Sequence, residues 1–444
     1  MDRRKMMVGM ALAGSVLRPR AARAATTKPA ILGGAPLKAD RFPSWPIADD
    51  LEDKALLKVL HSGKWGRGGG KQVERFEQEY AQLTGAKHCL AAANGTSALL
   101  IALDAIGVQA GDEVIVPPYT FVATINAVLA MGALPVFVDT DPRTFQIDAT
   151  KIEAAITDRT VAIIPVHLGG NVADLDTIMP TASKRKIAVI EDACQAHLAE
   201  WKGKKAGTYG SVGCFSFQAS KNLNSGEGGA ILTNQSEIAD RCFAYHNNSR
   251  RRNTPGYDFS YIGRGLNLRL TEFQAALLLA QMTRLGKQSE TRESNAAYLT
   301  KQLKEIPGIS PAEAYGGCTR NAYHLYMFRY DASKFAGLPR DKFLKALSAE
   351  GVPASSGYSP LNKEPLLKNM LSSRGYKRIY DEKTLQRWQE KNQCPANDRL
   401  CTEAVWFTQT MLLAPRNDMD IIASAIRKIQ AHAGEVARAE VSRA

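Results

Sequence analysis

The chain lacks Cys-x-x-Cys pairs, and its seven cysteines (Cys89, Cys194, Cys214, Cys242, Cys318, Cys394, Cys401) show no even framework of close spacings. No structural disulfide is expected, and Cys394 with Cys401 is the one pair worth testing. Several of these cysteines sit inside apolar patterns, where a thiol behaves as a small core hydrophobe. The seven histidines are scattered without metal-ligand spacing, so no metal site is expected. There is no Gly-x-Gly-x-x-Gly after a strand, and no Walker lysine motif either. Gly68-Gly69-Gly70-Lys71 is followed by Gln72 rather than Ser or Thr, which disfavours a nucleotide-binding enzyme. Internal repeats and low-complexity tracts are also missing, which leaves an ordinary globular chain.

Its 444 residues, 45% apolar and 23% charged, suffice for two or three domains. The formal net charge of +13 is unevenly placed. Arg3, Arg4, Lys5, Arg18, Arg20 and Arg23 against Asp2 put +5 of it in the first 25 residues, leaving +8 for the remainder. That bias suits anionic substrates and does not argue for nucleic acid. The same N-terminus places two arginines before a weakly hydrophobic stretch, Met7 to Leu17, and ends in Ala22-Arg23-Ala24. This pattern resembles a twin-arginine export signal over residues 1–25, with a basic tail on a cytoplasmic protein as the alternative. The stretch is too short to span a bilayer, so no membrane span is expected.

From about residue 90 the pattern alternates. Helical segments read at Thr96–Ile106, Ala123–Met131 and Lys151–Ala155. Short, almost continuous apolar strands read at Glu113–Val116, Pro135–Val138, Val161–Val166, Ile187–Ile190, Gly213–Phe217 and Ala230–Thr233. Strands of that texture between helices require a mainly parallel sheet covered on both faces, an α/β class. A helix is expected over Thr271–Leu285, capped by Thr271 and closed by Gly286. Beyond it the composition becomes more charged, which suggests a large domain over residues 26–285 and a smaller α/β domain over 286–444.

Ligands of open α/β sheets gather at the carboxyl ends of strands, and several chemically suggestive residues fall there. Lys221 lies on a glycine-punctuated turn after one strand, five residues beyond Ser216. A lysine so placed can form a Schiff base with an aldehyde cofactor while a hydroxyl holds a phosphate, which points to pyridoxal 5'-phosphate; a solvated loop lysine is the plain alternative. Asp192 could hold a pyridine nitrogen protonated or cap a helix, and Gln195 can face the same cavity. Asn94-Gly95-Thr96-Ser97 opens a helix, where N–H groups and the dipole favour a phosphate or merely a cap. Pro118-Tyr119-Thr120-Phe121 offers an aromatic ring either to a flat heterocycle or to the core. Arg250-Arg251-Arg252 could favour an anionic substrate or be a solvated loop.

Taken in order, Asn94-Gly95-Thr96, Pro118 to Phe121, Pro165-Val166-His167-Leu168-Gly169-Gly170, Glu191-Asp192-Ala193, Ser216 to Lys221, Gly226-Glu227-Gly228-Gly229, Gly265 to Leu270 and His324-Leu325-Tyr326 form a recognisable series. Over residues 30–430 the chain resembles the DegT/DnrJ/EryC1/StrS aminotransferases, which use pyridoxal phosphate and adopt the aspartate-aminotransferase fold type I. The spacings of 3, 24 and 29 residues from Asp192 to Gln195, Ser216 and Lys221 agree with that family. The resemblance implies that Lys221 is the Schiff-base lysine and proton shuttle. By the same resemblance Asp192 pairs with the ring nitrogen, Gln195 contacts the ring oxygen, Phe121 stacks on the ring, and Thr96, Ser97 and Ser216 hold the phosphate. It also implies that Asn267 reaches the phosphate of a neighbouring subunit, so that a homodimer shares its active sites. His167 and His324 fall on motifs near the substrate pocket, where either could instead be structural. The implied reaction moves an amino group from glutamate or glutamine to a keto sugar or ketocyclitol. Gly33-Gly34-Ala35-Pro36, Trp45-Pro46, Ser216-Phe217-Gln218 and Glu403-Ala404-Val405-Trp406 look most like the scyllo-inosose and aminohydroxybenzoate branch. A dehydratase branch with histidine in place of the lysine does not fit Lys221; a non-catalytic sensor on the same fold is the remaining alternative.

Overall fold

Val114, Ile115 and Val116 are fully buried on both faces, as are Val212, Cys214 and Phe215. Strands of this kind cannot alternate between core and water and must lie in a sheet covered on both sides. The computed structural model describes residues 27–252 and 261–439 and builds that sheet from seven strands. They are β1 (His88–Ala92), β2 (Glu113–Val116), β3 (Leu134–Phe137), β4 (Thr160–Ile163), β5 (Ala188–Asp192), β6 (Val212–Ser216) and β7 (Gly229–Thr233). The order is β1-β7-β6-β5-β4-β2-β3. The strands β6, β5, β4, β2 and β3 are mutually parallel, and β7 runs antiparallel to both of its neighbours. One edge of the sheet therefore collects the carboxyl ends of six strands together with the start of β7. The proposed export signal lies outside the described residues. No helix among them is long and apolar enough to cross a membrane.

Around the sheet pack α1 (Asp50–Ser62), α2 (Gln72–Thr84), α3 (Gly95–Ala105), α4 (Ala123–Ala130), α5 (Leu175–Arg185) and α6 (Ser236–His246), followed by the long α7 (Glu272–Leu303). A capping box of Thr271 and Gln274 starts α7. Gly286 does not end it. Leu285, Ser289, Arg292, Ala296, Leu299 and Leu303 are all buried at helical spacing, so the packed stripe carries the helix through the glycine. Residue 285, the expected domain boundary, thus lies inside a continuous helix. A Cβ added at Gly286 meets nothing within 4 Å. Gly286→Ala should consequently stabilise the fold by about 0.5–1 kcal/mol, read as a raised midpoint in urea unfolding at unchanged slope.

The C-terminal part adds a three-stranded antiparallel sheet of β8 (Ile309–Pro311), β9 (Leu325–Tyr330) and β10 (Ala404–Thr408). With α8 (Arg340–Ala349) and later helices it encloses a second core, which Ile31, Leu32, Leu37 and Phe42 also join. Between β9 and β10 the chain returns to the large sheet through α9 (Pro365–Leu371), α10 (Arg374–Ile379) and α11 (Glu382–Lys391). Tyr376 Oη donates to a carbonyl of α4 or the turn after it, and Trp388 Nε1 donates to Pro135 O at 2.7 Å. Asn392 Oδ1 accepts from Phe137 N–H, so this excursion covers the exposed edge of β3. All seven cysteines are free, Cys394 and Cys401 included.

Candidate active site

The parallel edge is where the chemistry gathers. Asp192 ends β5 and Ser216 ends β6; β1 runs into the N-terminus of α3, and β2 into the segment Pro117–Phe121. Lys221 sits in the connection from β6 to the antiparallel β7, so its loop turns over the same edge. Main-chain bonds fix that loop: Phe217 N–H to Gly228 O at 2.7 Å, Ala219 N–H to Gly226 O at 2.8 Å and Lys221 N–H to Gln218 O at 2.8 Å.

At α3, Asn94 Oδ1 accepts the Ser97 N–H at 2.8 Å. Gly95 and Thr96 keep the open N–H groups of a helix start. Gly95 has no room for a side chain, since a Cβ there would lie 2.7 Å from Ser216 Cβ and 3.1 Å from Cys194 Sγ. Gly229 is equally constrained, its Cβ falling 2.4 Å from Asn94 O. Only glycine lets the helix start approach Ser216 this closely, and the result is a cup of N–H groups and hydroxyls suited to an anion.

Asp192 is buried. Its Oδ2 accepts the Thr124 hydroxyl at 2.8 Å and its Oδ1 the Cys194 N–H at 3.2 Å, so the carboxylate is oriented; no helix begins after it, only a turn, and it is not a helix cap. Gln195 is held at both ends: Oε1 accepts the Gly169 N–H at 2.7 Å, and Nε2 donates to Tyr358 Oη at 3.1 Å. The Lys221 ammonium has no hydrogen bond or ion pair among the described residues. Burial lowers its pKa, opposed by the Cys194 thiol and the Asp192 carboxylate. That balance favours a neutral, nucleophilic amine compared with an exposed lysine. Of the two aromatic rings after β2, Tyr119 is a core residue at 1% exposure, whereas Phe121 is 55% exposed. A cleft of about 860 Å³ between α9, α10 and α11 contains none of these side chains.

The model of the DegT/DnrJ/EryC1/StrS aminotransferase family matches residues 46–405. The chain belongs to that family. It is 37% identical over 420 residues to the L-glutamine:2-deoxy-scyllo-inosose aminotransferase of Streptoalloteichus tenebrarius, covering 92% of this chain and 98% of that protein. It is 38% identical over 423 residues to the L-glutamine:scyllo-inosose aminotransferase of Streptomyces griseus, covering 92% and 99%. Among solved structures it resembles 3-amino-5-hydroxybenzoic acid synthase at a TM-score of 0.80 and 33% identity, covering 90% of this chain and all of that one. The DegT-family chain is thus an aminotransferase with the α/β fold type I of its class, and it falls beside the inosose and aminohydroxybenzoate branch.

In this aminotransferase the two motif histidines differ in their surroundings. His167 is wholly buried; its Nδ1 accepts the Ala173 N–H at 3.2 Å, so Nε2 carries the proton toward Glu191 Oε2 at 2.9 Å. Glu191 also accepts the N–H groups of Gly207, Tyr209 and Gly210, each at 2.7 Å. Burial alone would raise its pKa, but the hydrogen bond from His167 and those from the Gly210 and Gly207 N–H groups hold it below the usual carboxylate value. Both nitrogens of His167 are therefore committed to structure under the strand ends. His324 is closer to the lysine: burial and the Lys221 charge push its pKa well below the ordinary value, and Nδ1 lies 3.2 Å from Asn222 Oδ1. Asn267 is on the surface near the same edge, bridged through its main chain to Asn247, and its side chain has no hydrogen-bond partner among the described residues.

Thr124, Tyr358 and Arg292 carried no sequence signal as neighbours of the site, and Trp45 was visible only as part of the branch motif Trp45-Pro46. Thr124 lies 68 residues before Asp192, and Tyr358 lies 163 residues after Gln195. Trp45 Nε1 donates to Lys221 O at 3.2 Å, and the buried guanidinium of Arg292 lies over the Trp45 ring at 5.4 Å. Arg292 is tied to Gln409 Oε1 without any carboxylate among the described residues, and burial lowers its pKa to about 9.

Proposed function

We propose that this aminotransferase binds pyridoxal phosphate at the parallel edge and transfers the amino group of L-glutamine, or of glutamate, to a ketocyclitol of the inosose type. The observation that carries the reading is the convergence at one edge of a half-buried lysine whose amine has no hydrogen bond or ion pair among the described residues, an oriented carboxylate and a helix-start anion cup. The relatives whose names specify glutamine and inososes, matched over nearly their whole length, support the choice of substrate.

When bound, pyridoxal phosphate supplies an aldehyde carbon for the lysine and a protonated ring that withdraws electrons. In this reading the phosphate is held by Thr96, Ser97 and Ser216 with the open N–H groups of α3. Asp192, fixed by Thr124, would keep the ring nitrogen protonated, Gln195 would donate to the ring oxygen, and Phe121 would cover the ring. Lys221 would hold the cofactor through its amine, and that same amine would be the base for the proton on the substrate's α-carbon. Asn267, exposed beside the edge, is proposed to complete the phosphate site of a second copy. Tyr261, Ile262 and Leu266 on the same segment are about half exposed, as an apolar surface awaiting a partner would be. The boundary near residue 285 is proposed as a division of roles, with the cofactor residues before it and Tyr358, which holds Gln195, after it.

The test is a half-reaction. Protein treated with pyridoxal phosphate should turn yellow, bleach with L-glutamine and, once the donor is removed, regain the band with scyllo-inosose or 2-deoxy-scyllo-inosose. Recovery with nucleotide-linked keto sugars but not with inososes would overturn the substrate assignment, and a well-folded protein that never develops the band would overturn the cofactor.

A further inference from the structure

The Gln195 carboxamide is oriented from two sides. A main-chain N–H can only donate, so the group facing Gly169 must be Oε1, and Nε2 must face Tyr358. An amide held by one bond can still swing about it; the second bond removes that freedom. Tyr358 comes from the C-terminal part of the chain, on a strap pinned along its length. Ser355 and Trp406 exchange main-chain bonds at 3.0 and 3.1 Å, Arg340 Nη1 donates to Ser356 O at 3.0 Å, and Leu361 N–H reaches Pro118 O at 3.4 Å. Gly357 is left-handed, with φ +81°, and a Cβ there would lie 2.4 Å from Tyr119 Oη. The Tyr358 ring is wedged edge-on between Tyr119, at 5.6 Å, and Trp406, at 4.7 Å. A hydroxyl this firmly placed serves as a fixed acceptor.

We propose that Tyr358 is a positioning residue: by accepting one Gln195 Nε2 hydrogen it turns the other toward the cofactor's ring oxygen and so sets how strongly that oxygen is held in its charged form. This rests on the reading of Gln195 given under Proposed function. The burial that raises the Tyr358 pKa to about 12 keeps its phenol neutral across the working range, so the acceptor does not change with pH.

A hydrogen bond to a charged oxygen favours the deprotonated form, so weakening it raises the pH at which the loaded protein's visible band titrates. Tyr358→Phe keeps the ring packing and removes only the hydroxyl. We expect that midpoint to rise by roughly half a unit, the size of a weakened hydrogen bond, with the thermal midpoint within a degree or two of wild type. Gln195→Ala should shift it further, and Tyr358→Phe added to Gln195→Ala should shift it no more, because the two act as one unit. An unmoved midpoint in Tyr358→Phe would overturn the inference and leave the cofactor reading intact. So would an equal shift on both backgrounds, which would mean that Tyr358 acts without Gln195. Absence of a titrating band in wild type would overturn both.

Discussion

Lys221→Ala should abolish amino transfer while leaving the fold unchanged. The two halves of that expectation have separate physical sources. The Lys221 amine has no hydrogen bond or ion pair among the described residues, and burial already disfavours its charge. Truncation therefore orphans no partner and removes a buried amine, so the melting temperature should stay within a few degrees. The loop is held by main-chain bonds at Phe217, Ala219 and Lys221 that survive the substitution. The chemistry has no such reserve. Lys221 is the one lysine in the connection from β6 to β7, and His324 makes its own bond to Asn222. Loss of both the attachment point and the proton carrier should cost about 10^4-fold or more in the rate of the half-reaction with L-glutamine. Borohydride treatment of the loaded wild type should fix the cofactor to the peptide containing Lys221, and the same treatment of the variant should fix none. A variant within tenfold of wild type would mean that another group is the nucleophile. A wild type that binds the cofactor and never transfers an amine would favour the sensor alternative.

How much of this was legible beforehand depended on the range of each interaction. The strands Glu113–Val116 and Val212–Ser216 announce themselves because burial on both faces leaves a local run of apolar residues. His88–Ala92 gives no such signal: it starts with a polar residue, ends in two alanines, and owes its place to an antiparallel ladder with Gly229–Thr233, far along the chain. Gly286 reads as a helix stop by local chemistry, and the tertiary stripe from Leu285 to Leu303 overrides it. Asp192, Gln195, Ser216 and Lys221 stand out in the sequence because their spacing agrees with that of the family they resemble, and the fold brings them to one edge. Tyr358 and Trp45 reach that edge from remote segments, and no local period records such a contact. His167 shows the reverse limit. Its motif is visible in sequence, but only the packing shows that its two nitrogens are already bound to Glu191 and the Ala173 N–H.

Acidification should destabilise the protein well above the range in which carboxylates titrate. His197 and His246 are buried, and each has its pKa lowered to about 3. For His197 the causes are burial and then the charges of Lys221 and Arg292; for His246 they are burial and then Arg67, with smaller contributions from Arg269 and Arg252. His324 is displaced in the same direction. In the unfolded chain each would take up a proton near pH 6.5, whereas the folded protein refuses it at His197 and His246 until about pH 3 and at His324 until well below 6.5. Between those values the unfolded state binds more protons, so stability is full above about pH 6.5 and falls as the pH drops. Three such groups give a slope of up to ~4 kcal/mol per pH unit, against a typical total of about 5–15 kcal/mol. The fold should therefore be lost, or open locally around the strand edge, by about pH 4–5. Thermal midpoints measured from pH 7.5 to 4.5 should decline steadily below pH 6.5. His197 supplies the control, since neither ring nitrogen is within hydrogen-bonding geometry of a partner among the described residues, the Ser216 main chain being its nearest polar neighbour in effect, and the ring packs against Phe215 and Phe217 at 5.7 Å. His197→Leu removes the titration without orphaning a partner, so it should be near neutral at pH 7.5 and flatten the acid limb by about 1.4 kcal/mol per pH unit. Midpoints that stay level from pH 7.5 to 5 would show that these histidines gain access to protons without unfolding.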